Sequence, residues 1–104
     1  MKKTADPSSE NGKIRVLVSD FPHGLREFED IRLIRIKSSD YTLLIMEDHF
    51  PVLGQVEGTV ELVSGEDAIK LGNIHGFYVH RDNECSLLVE DYLAQPAQEA
   101  ADEN

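Results

Sequence analysis

Four histidines and one cysteine are the residues of this chain whose types suit metal binding, proton transfer or nucleophilic attack. His75 and His80 lie five residues apart in one predicted strand, so their side chains should leave opposite faces of that strand. A zinc site needs ligands that converge to within about 2.0–2.3 Å of the ion, and no close pair of these residues provides that convergence. We therefore predict no metal site and interpret all four histidines as polar or turn residues: His23, His49, His75 and His80.

The cysteine, carboxylate and glycine patterns that are typical of enzymes are also weak here. Cys85 follows a turn and opens the apolar run CSLLVED, which is typical of a buried structural thiol, and no glycine-rich elbow accompanies it. Neighbouring acids such as Glu47 and Asp48 mean little in a chain that has 20 of them. The glycines fit neither the P-loop spacing nor GxGxxG. We expect no catalytic residue, no cofactor and no enzymatic activity.

The chain is strongly acidic for its length. Its 104 residues suffice for one domain with one modest core. The formal net charge is -10, and between residues 13 and 93 the 15 acids and 8 bases still leave -7. Such a domain is repelled by phosphate backbones and anionic lipids. We predict no nucleic-acid binding and no direct lipid binding, whereas a basic protein partner is compatible with this charge.

The sequence contains no signal for export or membrane insertion. A single cysteine cannot form an internal disulfide, which fits a reducing compartment. The opening Met-Lys-Lys is followed by polar residues instead of the apolar segment of a signal peptide. No run approaches the roughly 20 apolar residues that span a bilayer. We expect a soluble, cytoplasmic protein.

Short apolar runs separated by turn residues predict an all-β fold. In KIRVLVS the side chains of Ile14, Val16 and Val18 share one side, as in a half-buried strand. In EDIRLIRIK the apolar phase slips, which predicts a bulge or burial on both faces. Spacings of about 8 to 12 residues between runs are typical of a sandwich. We predict an antiparallel β-sandwich of about 8–10 short strands, with residues 14–18 as a candidate edge strand. The other runs are YTLLIM, PVLGQV, GTVELVS, AIKLGNI, GFYVHR and CSLLVED.

Both ends of the chain lack apolar periodicity and are rich in small and polar residues. The predicted organisation is a disordered tail over residues 1–12, the sandwich over 13–93, and a disordered acidic tail over 94–104.

The stretch MEDHFPVLGQVEG, residues 46–58, is predicted to form a corner between two strands. Pro51 lacks a backbone donor and restricts Phe50 to an extended conformation, so one strand should end there and the next begin in a new direction. His49 is expected to form hydrogen bonds at this corner. Gly58 is expected to permit a following turn.

Two motifs in this order carry a family resemblance: DYTLLIMEDHFPVLGQVEGTVEL and, later, HGFYVHRDNECSLLVED. Residues 13–92 resemble the N-terminal β-sandwich of the epsilon subunit of F-type ATP synthases, called delta in mitochondria. His49 and Pro51 match the His and Pro of that family's PGHAPL motif, Gly58 matches its later PGxV, and Gly76 with Phe77 matches its Gly-Gly-Phe. The chain also departs from the family: the hairpin after Val79 is one residue longer, Ser39-Asp40-Tyr41 only approximates the family's acidic turn, and two motif residues are changed. Glu47-Asp48 replaces the Pro-Gly before the histidine, and a histidine replaces the first glycine of Gly-Gly-Phe.

The resemblance implies a non-catalytic coupling subunit at the inner face of a membrane. The sandwich of that family lies at the foot of the gamma subunit and on the polar loops of the c-ring, so both would be partners. By resemblance, the loops that face the ring contain His23, Ser38, Ser39, Asp40 and Tyr41. An exposed sandwich face would contact gamma.

Many family members carry a further C-terminal helical domain that binds ATP or inhibits hydrolysis. Since this chain extends only about a dozen residues past the sandwich, we expect neither property. The alternative function is a free-standing acidic β-sandwich that acts as a protein-interaction or regulatory module.

Overall fold

The computed structural model describes residues 12–65 and 67–96 of the chain. Within these ranges the regular structure is entirely β, which confirms the predicted fold class, and no helix is present that could cross a membrane. The eight strands of this described part are β1 (Ile14–Asp20), β2 (Gly24–Ile31), β3 (Leu33–Ser38), β4 (Thr42–Met46), β5 (Val52–Ser64), β6 (Asp67–Arg81), β7 (Glu84–Val89) and β8 (Leu93–Pro96).

Hydrogen bonds connect the strands in the order β2-β1-β7-β6-β5-β3-β4, and β8 pairs with β6. The pairs are antiparallel with one exception, because β1 and β7 run parallel. The sequence analysis predicted an antiparallel sheet throughout. Strands far apart in the chain are not joined by a hairpin, so nothing local in the sequence sets their relative direction.

Two long strands fold this sheet into two layers. Layer one consists of residues 52–57 of β5 and 76–81 of β6, together with β7, β1 and β2, which are hydrogen-bonded in sequence beside them. Residues 58–64 of β5 and 67–74 of β6 lie with β3, β4 and β8 in layer two. The register between β5 and β6 shifts next to Gly58, where β6 has one extra residue and Asn73 adopts a φ of 61°. This bulge increases the local bend and twist.

The inward side chains of both layers form one core. The alternating Ile14, Val16 and Val18 of β1 are fully buried, as the sequence pattern predicted. They share a cluster with Ile34 and Ile36 of β3, and with inward residues of the other strands. At about 1.5–3 kcal/mol for each fully buried aliphatic side chain, this cluster is the main stabilising element.

Several sequence predictions differ from the structure in detail. PVLGQV and GTVELVS are one strand, β5, and AIKLGNI and GFYVHR are one strand, β6. No turn follows Gly58, because β5 continues to Ser64. The predicted edge strand at residues 14–18 is internal, since β1 lies between β2 and β7. The glycine and asparagine at these positions predict turns from the local sequence. In the structure β5 and β6 continue past them, because the two strands pair with each other along their length.

The phase slip in EDIRLIRIK has a different origin from the predicted one. It marks a change of strand at Arg32, between the end of β2 and the start of β3. A bulge does occur just before it, opposite Ile14 and Val16, where Asp30 has a φ of 63°.

The sandwich also extends further toward the C-terminus than residue 93. Residues 94–96 were predicted as tail, but they belong to β8 and pair with β6. All four side chains of β8 are exposed, so no apolar alternation marks it in the sequence. The remaining parts of the two predicted tails, residues 1–11 and 97–104, lie outside the described residues.

Candidate functional site

The outer side of layer one carries a contiguous group of exposed apolar side chains, which we call the apolar face. Register pairs Leu53 with Val79 and Phe77 with Leu88, while Ser19 lies opposite both Leu88 and Leu25. Paired residues project to the same side of a sheet. The members are between 45 and 72% exposed. They are Leu25, Leu53, Phe77, Val79 and Leu88.

The β1–β2 turn extends the apolar face at one end. Phe21, in this turn, is 95% exposed. A shallow cavity of about 410 Å³ lies beside it, lined by Ser19, Asp20, Phe21, Leu88 and Val89. Single exposed apolar side chains are normal, whereas a contiguous group marks an interaction surface.

Charged residues border the other end of the apolar face. Arg15 Nε donates to Glu27 Oε2 at 2.6 Å, and its Nη1 lies 3.8 Å from Glu84 Oε2. The Arg15 guanidinium lowers the pKa of Glu27 through this hydrogen bond. An apolar centre with a polar rim is the usual anatomy of a protein–protein interface.

The outer side of layer two has a different character. Its middle row pairs Arg35 with Glu61 and Glu61 with Lys70, and Arg35 forms an ion pair with Glu61. Its large exposed apolar residues lie at its two opposite edges, Leu44 and Met46 on β4 and Leu93 on β8, with the charged row between these strands. Layer one is therefore the layer whose outer side suits a hydrophobic partner.

Four of the predicted ring-facing residues lie at the β3–β4 connection: Ser38 ends β3, and Ser39, Asp40 and Tyr41 lead to β4. Ser38 closes this turn, since its N–H donates to the carbonyl of Tyr41 at 2.8 Å. Its hydroxyl accepts from the N–H of Glu57 at 2.9 Å. Ser39 and Asp40 are exposed at the tip. The turn is thus attached to the free side of β5.

Tyr41 closes one wall of a groove of about 460 Å³ beside β5. Its hydroxyl donates to the carbonyl of Gln55 and lies 3.0 Å from the hydroxyl of Tyr78. Burial, together with this contact, raises the pKa of Tyr78. A methyl group at Gly54 would lie 2.4 Å from the Tyr78 hydroxyl. A small residue at position 54 therefore leaves room for the tyrosine pair.

His23 lies in the β1–β2 turn, where it contacts both Asp20 and Tyr92. Its N–H donates to Asp20 Oδ1 at 2.9 Å, and its Nδ1 lies 2.7 Å from Asp20 Oδ2. Its ring stacks on Tyr92 with centroids 4.8 Å apart. Burial opposes the charge of Asp20, but the hydrogen bonds from His23 outweigh it and lower the pKa of this carboxyl group. Asp91 completes a cluster in which the potential ligand atoms of Asp20, His23 and Asp91 lie within 4.8 Å of one another.

The two predicted ring-facing loops lie at the same end of layer one but at opposite sides of it. The register places the row of Val56, Gly76, Val89, Asp20 and Gly24 at this end. Ser38 and Tyr41 lie beyond β5, and His23 lies between β1 and β2. Four strand spacings of about 4.8 Å give a separation of about 19 Å across the layer. The structure therefore does not join these residues into one compact site.

The corner predicted within residues 46–58 is present at residues 47–51, between β4 and β5. His49 donates its N–H to the carbonyl of Met46 at 3.1 Å, and its Nδ1 lies 2.6 Å from the carbonyl of Phe50. This confirms the predicted hydrogen-bonding role of His49. Pro51 immediately precedes β5, as a residue without a backbone donor should.

Asp48 lies at this corner, where the resembled family has glycine. Its φ is 64°, in the left-handed region that glycine favours. The side chain accepts from Asn83 Nδ2 at 3.0 Å and Lys13 Nζ at 3.3 Å, and its N–H donates to Asn83 Oδ1 at 2.7 Å. The bond from Asn83, reinforced by Lys13, lowers the pKa of Asp48. Position 48 therefore has a backbone conformation that suits glycine, and the Asp48 side chain adds contacts to the β6–β7 turn.

Gly58 and Gly76, the other motif glycines, lie where two backbones approach closely. A methyl group at Gly58 would be 2.1 Å from the carbonyl oxygen of Lys37, and one at Gly76 would be 2.1 Å from that of Leu88. Both positions exclude a side chain for packing reasons. The neighbouring Phe77 belongs to the apolar face.

The remaining reactive residues occupy β6 and β7. His75 is exposed and His80 is fully buried, which confirms that the two leave opposite faces. Burial lowers the pKa of His80, and the nearby His49 adds to this effect. Neither ring nitrogen of His80 has a hydrogen-bond partner within the described part of the chain. Cys85 is buried, as predicted, and burial raises the pKa of its thiol to about 12.

Sequence reasoning missed the apolar face and the Asp20, His23 and Asp91 cluster. Part of the signal for the face is present in GFYVHR and CSLLVED, because the exposed Phe77, Val79 and Leu88 alternate with less exposed neighbours. No sequence signal joins Asp20 to Asp91. The parallel pairing of β1 with β7 brings them together.

Neither a protein-family model nor a curated protein sequence matches the chain. Among solved structures, it is similar to a chain in the cryo-EM structure of the Tetrahymena thermophila mitochondrial ATP synthase, central stalk and c-ring. The two share 21% sequence identity with a TM-score of 0.58, and the match covers 82% of this chain and 69% of the other. This likeness establishes a shared fold.

Proposed function

We propose that this chain is a non-catalytic, epsilon-like subunit of an F-type ATP synthase that couples the gamma subunit to the c-ring during proton-driven ATP synthesis or hydrolysis. The observation that carries the proposal is the apolar face, on a sandwich whose fold is similar to that of a central-stalk or c-ring chain. The chain would reside in the cytoplasm, at the inner membrane face, through this complex.

The gamma subunit is assigned to the apolar face. Phe77 and Leu88 lie side by side at its centre and expose 53 and 64% of their surface. Burial of such side chains in a complex contributes about 25 cal/mol for each Å² of apolar surface removed from water. The ion pairs of Arg15 at the border supply the polar rim.

The c-ring is assigned to the end of layer one that holds His23 and the 38–41 turn. Exposed acids surround this end, among them Asp40, Glu57, Glu90 and Asp91. Negative charge here favours polar or basic loops through electrostatic steering. It also disfavours direct contact with anionic lipids.

The left-handed conformation of Asp48 supports the family resemblance. It stands where the resembled family has glycine, so the corner keeps its backbone geometry despite the changed residue. The replacement of Pro-Gly by Glu47-Asp48 is thereby compatible with an epsilon-like fold.

Co-purification with a gamma subunit from the same cell tests the proposal. Leu88→Glu places a charge at the centre of the apolar face and should abolish retention of gamma. Leu44→Glu, an equal change at an exposed position of layer two, should leave retention unchanged. Circular dichroism should show both variants folded, since both side chains are exposed.

Two results would contradict the proposal. The parent chain retaining no gamma subunit would leave the free-standing interaction module as the better reading. Equal retention by the parent and the Leu88→Glu variant would show that the apolar face is not the docking surface.

A further inference from the structure

The Asp20, His23 and Asp91 cluster has the composition and spacing of a cation site. The three side chains come from the end of β1, the following turn and the segment after β7. Their potential ligand atoms lie within 4.8 Å of one another. Ligands about 2.1 Å from a tetrahedral ion are about 3.4 Å apart. Asp91 is exposed, so a rotation of its side chain can close the remaining gap.

Two features of the cluster are unusual for an ordinary surface turn. The Asp20 side chain has no exposed surface, although carboxylates are rarely buried completely. The His23 ring is fixed by its stacking on Tyr92. One ligand is therefore already desolvated and a second already oriented before an ion arrives, which reduces the cost of binding.

The local charge also favours a cation. Asp20 and Asp91 contribute two negative charges, and Arg26 contributes one positive charge while its Nη1 donates to the Tyr92 hydroxyl at 3.3 Å. An imidazole that binds a metal is neutral, so two carboxylates and one guanidinium give the cluster a net charge of -1, which attracts a cation. Desolvated charges are stabilised when they are paired or coordinate a metal.

We infer that Asp20, His23 and Asp91 bind a divalent transition-metal ion of the zinc class. One imidazole and two carboxylates form a mixed nitrogen and oxygen donor set, which suits Zn²⁺ better than Ca²⁺, an ion that takes 6–8 oxygen ligands. Three protein ligands leave coordination positions open toward solvent. This inference differs from the sequence-based expectation of no metal site, and it does not depend on whether the chain belongs to an ATP synthase.

Calorimetric titration of the full chain with Zn²⁺ tests the inference. We expect one ion per chain, together with a selective shift of the His23 ring resonances in NMR spectra. Asp91→Asn should weaken the affinity by about tenfold or more, since it removes one charged ligand. This variant keeps the side-chain oxygen that accepts the Tyr92 N–H at 2.6 Å, so the turn should stay folded. His23→Asn should have an effect of similar size.

His75→Asn is the matched control. His75 Nδ1 lies 3.5 Å from Glu57 Oε2, an exposed histidine–carboxylate pair that is not part of the three-residue cluster. Its replacement should leave the zinc affinity unchanged. The inference is overturned if the parent shows no saturable binding in the micromolar range, or if Asp91→Asn binds as tightly as the parent.

Discussion

The buried histidine of β6 makes the stability of this fold depend on pH. His80 is fully buried, and both its ring nitrogens lack hydrogen-bond partners within the described residues. Burial lowers its pKa in the folded state, so the unfolded chain binds a proton at a higher pH than the folded chain does. The contribution of His80 to stability is therefore fully present above the unfolded pKa of about 6.5 and is lost as the pH falls below it.

The size of this effect follows from proton linkage. For a ring that stays neutral in the folded state, the free energy of unfolding falls by about 1.4 kcal/mol between about pH 7.5 and pH 5.5. His80→Leu removes both the titration and two buried polar atoms without partners. An unsatisfied buried group costs about 1–3 kcal/mol. At about pH 7.5 we expect the free energy of unfolding of the variant to exceed that of the parent by about 1–3 kcal/mol. At about pH 5.5 this difference should be larger by about 1.4 kcal/mol.

Chemical denaturation across this pH range provides the measurement. Urea unfolding followed by far-ultraviolet circular dichroism gives the free energy of unfolding at each pH. Comparing the parent with His80→Leu cancels the titration of the other histidines and of the carboxylates. His75→Asn is the control, because His75 lies in the same strand with its side chain exposed.

The test compares how steeply the free energy of unfolding depends on pH in the parent and in each variant. A parent and a His80→Leu variant with the same dependence of stability on pH would refute the reasoning. If the His75→Asn variant loses the acid sensitivity, the sensitivity arises from His75 and not from His80, which would also refute the reasoning.

Three other predictions rest on single residues. Gly76→Ala should destabilise the fold by about 3 kcal/mol in urea unfolding, because its methyl group would clash with the Leu88 backbone. Gly72→Ala should cost less than about 1 kcal/mol, because its methyl group would lie 3.8 Å from the carbonyl oxygen of Leu93, an ordinary contact distance. Asn83→Ala should be about 1 kcal/mol less stable than Asn83→Gly, because both lose the Asp48 contact but only alanine is strained at a φ of 59°. Cys85 should not react with a thiol reagent until the chain unfolds, since its thiol is buried and protonated.

The resemblance to the epsilon sandwich rests on local motifs, and the structure shows what the motif residues do in this chain. The corner between β4 and β5 was recognisable because Pro51 lacks a backbone donor and restricts Phe50 to an extended conformation. Only the structure shows that Asp48 adopts a left-handed backbone conformation there and is held by Asn83. Gly76 was recognisable as a motif residue, but its reason, the approach of the Leu88 carbonyl, depends on the β6–β7 pairing.

The sequence alone determined the β class, the inward side of β1 and the burial of Cys85. Alternation over a few residues specifies which side chains face the core, because successive side chains of a strand point to opposite sides. The same alternation predicted that His75 and His80 would differ in exposure, which the structure confirms.

Only the tertiary structure decided which strands merge, which pairs run parallel and which outer side is apolar. The edge strands β2 and β8 have few buried side chains, so their existence depends on hydrogen bonds to a neighbour rather than on a pattern of their own. Asp20 and Asp91 lie far apart in the chain, and the parallel β1–β7 ladder brings them together with His23. Such contacts between distant segments have no local signal, because they arise from pairing across the sheet.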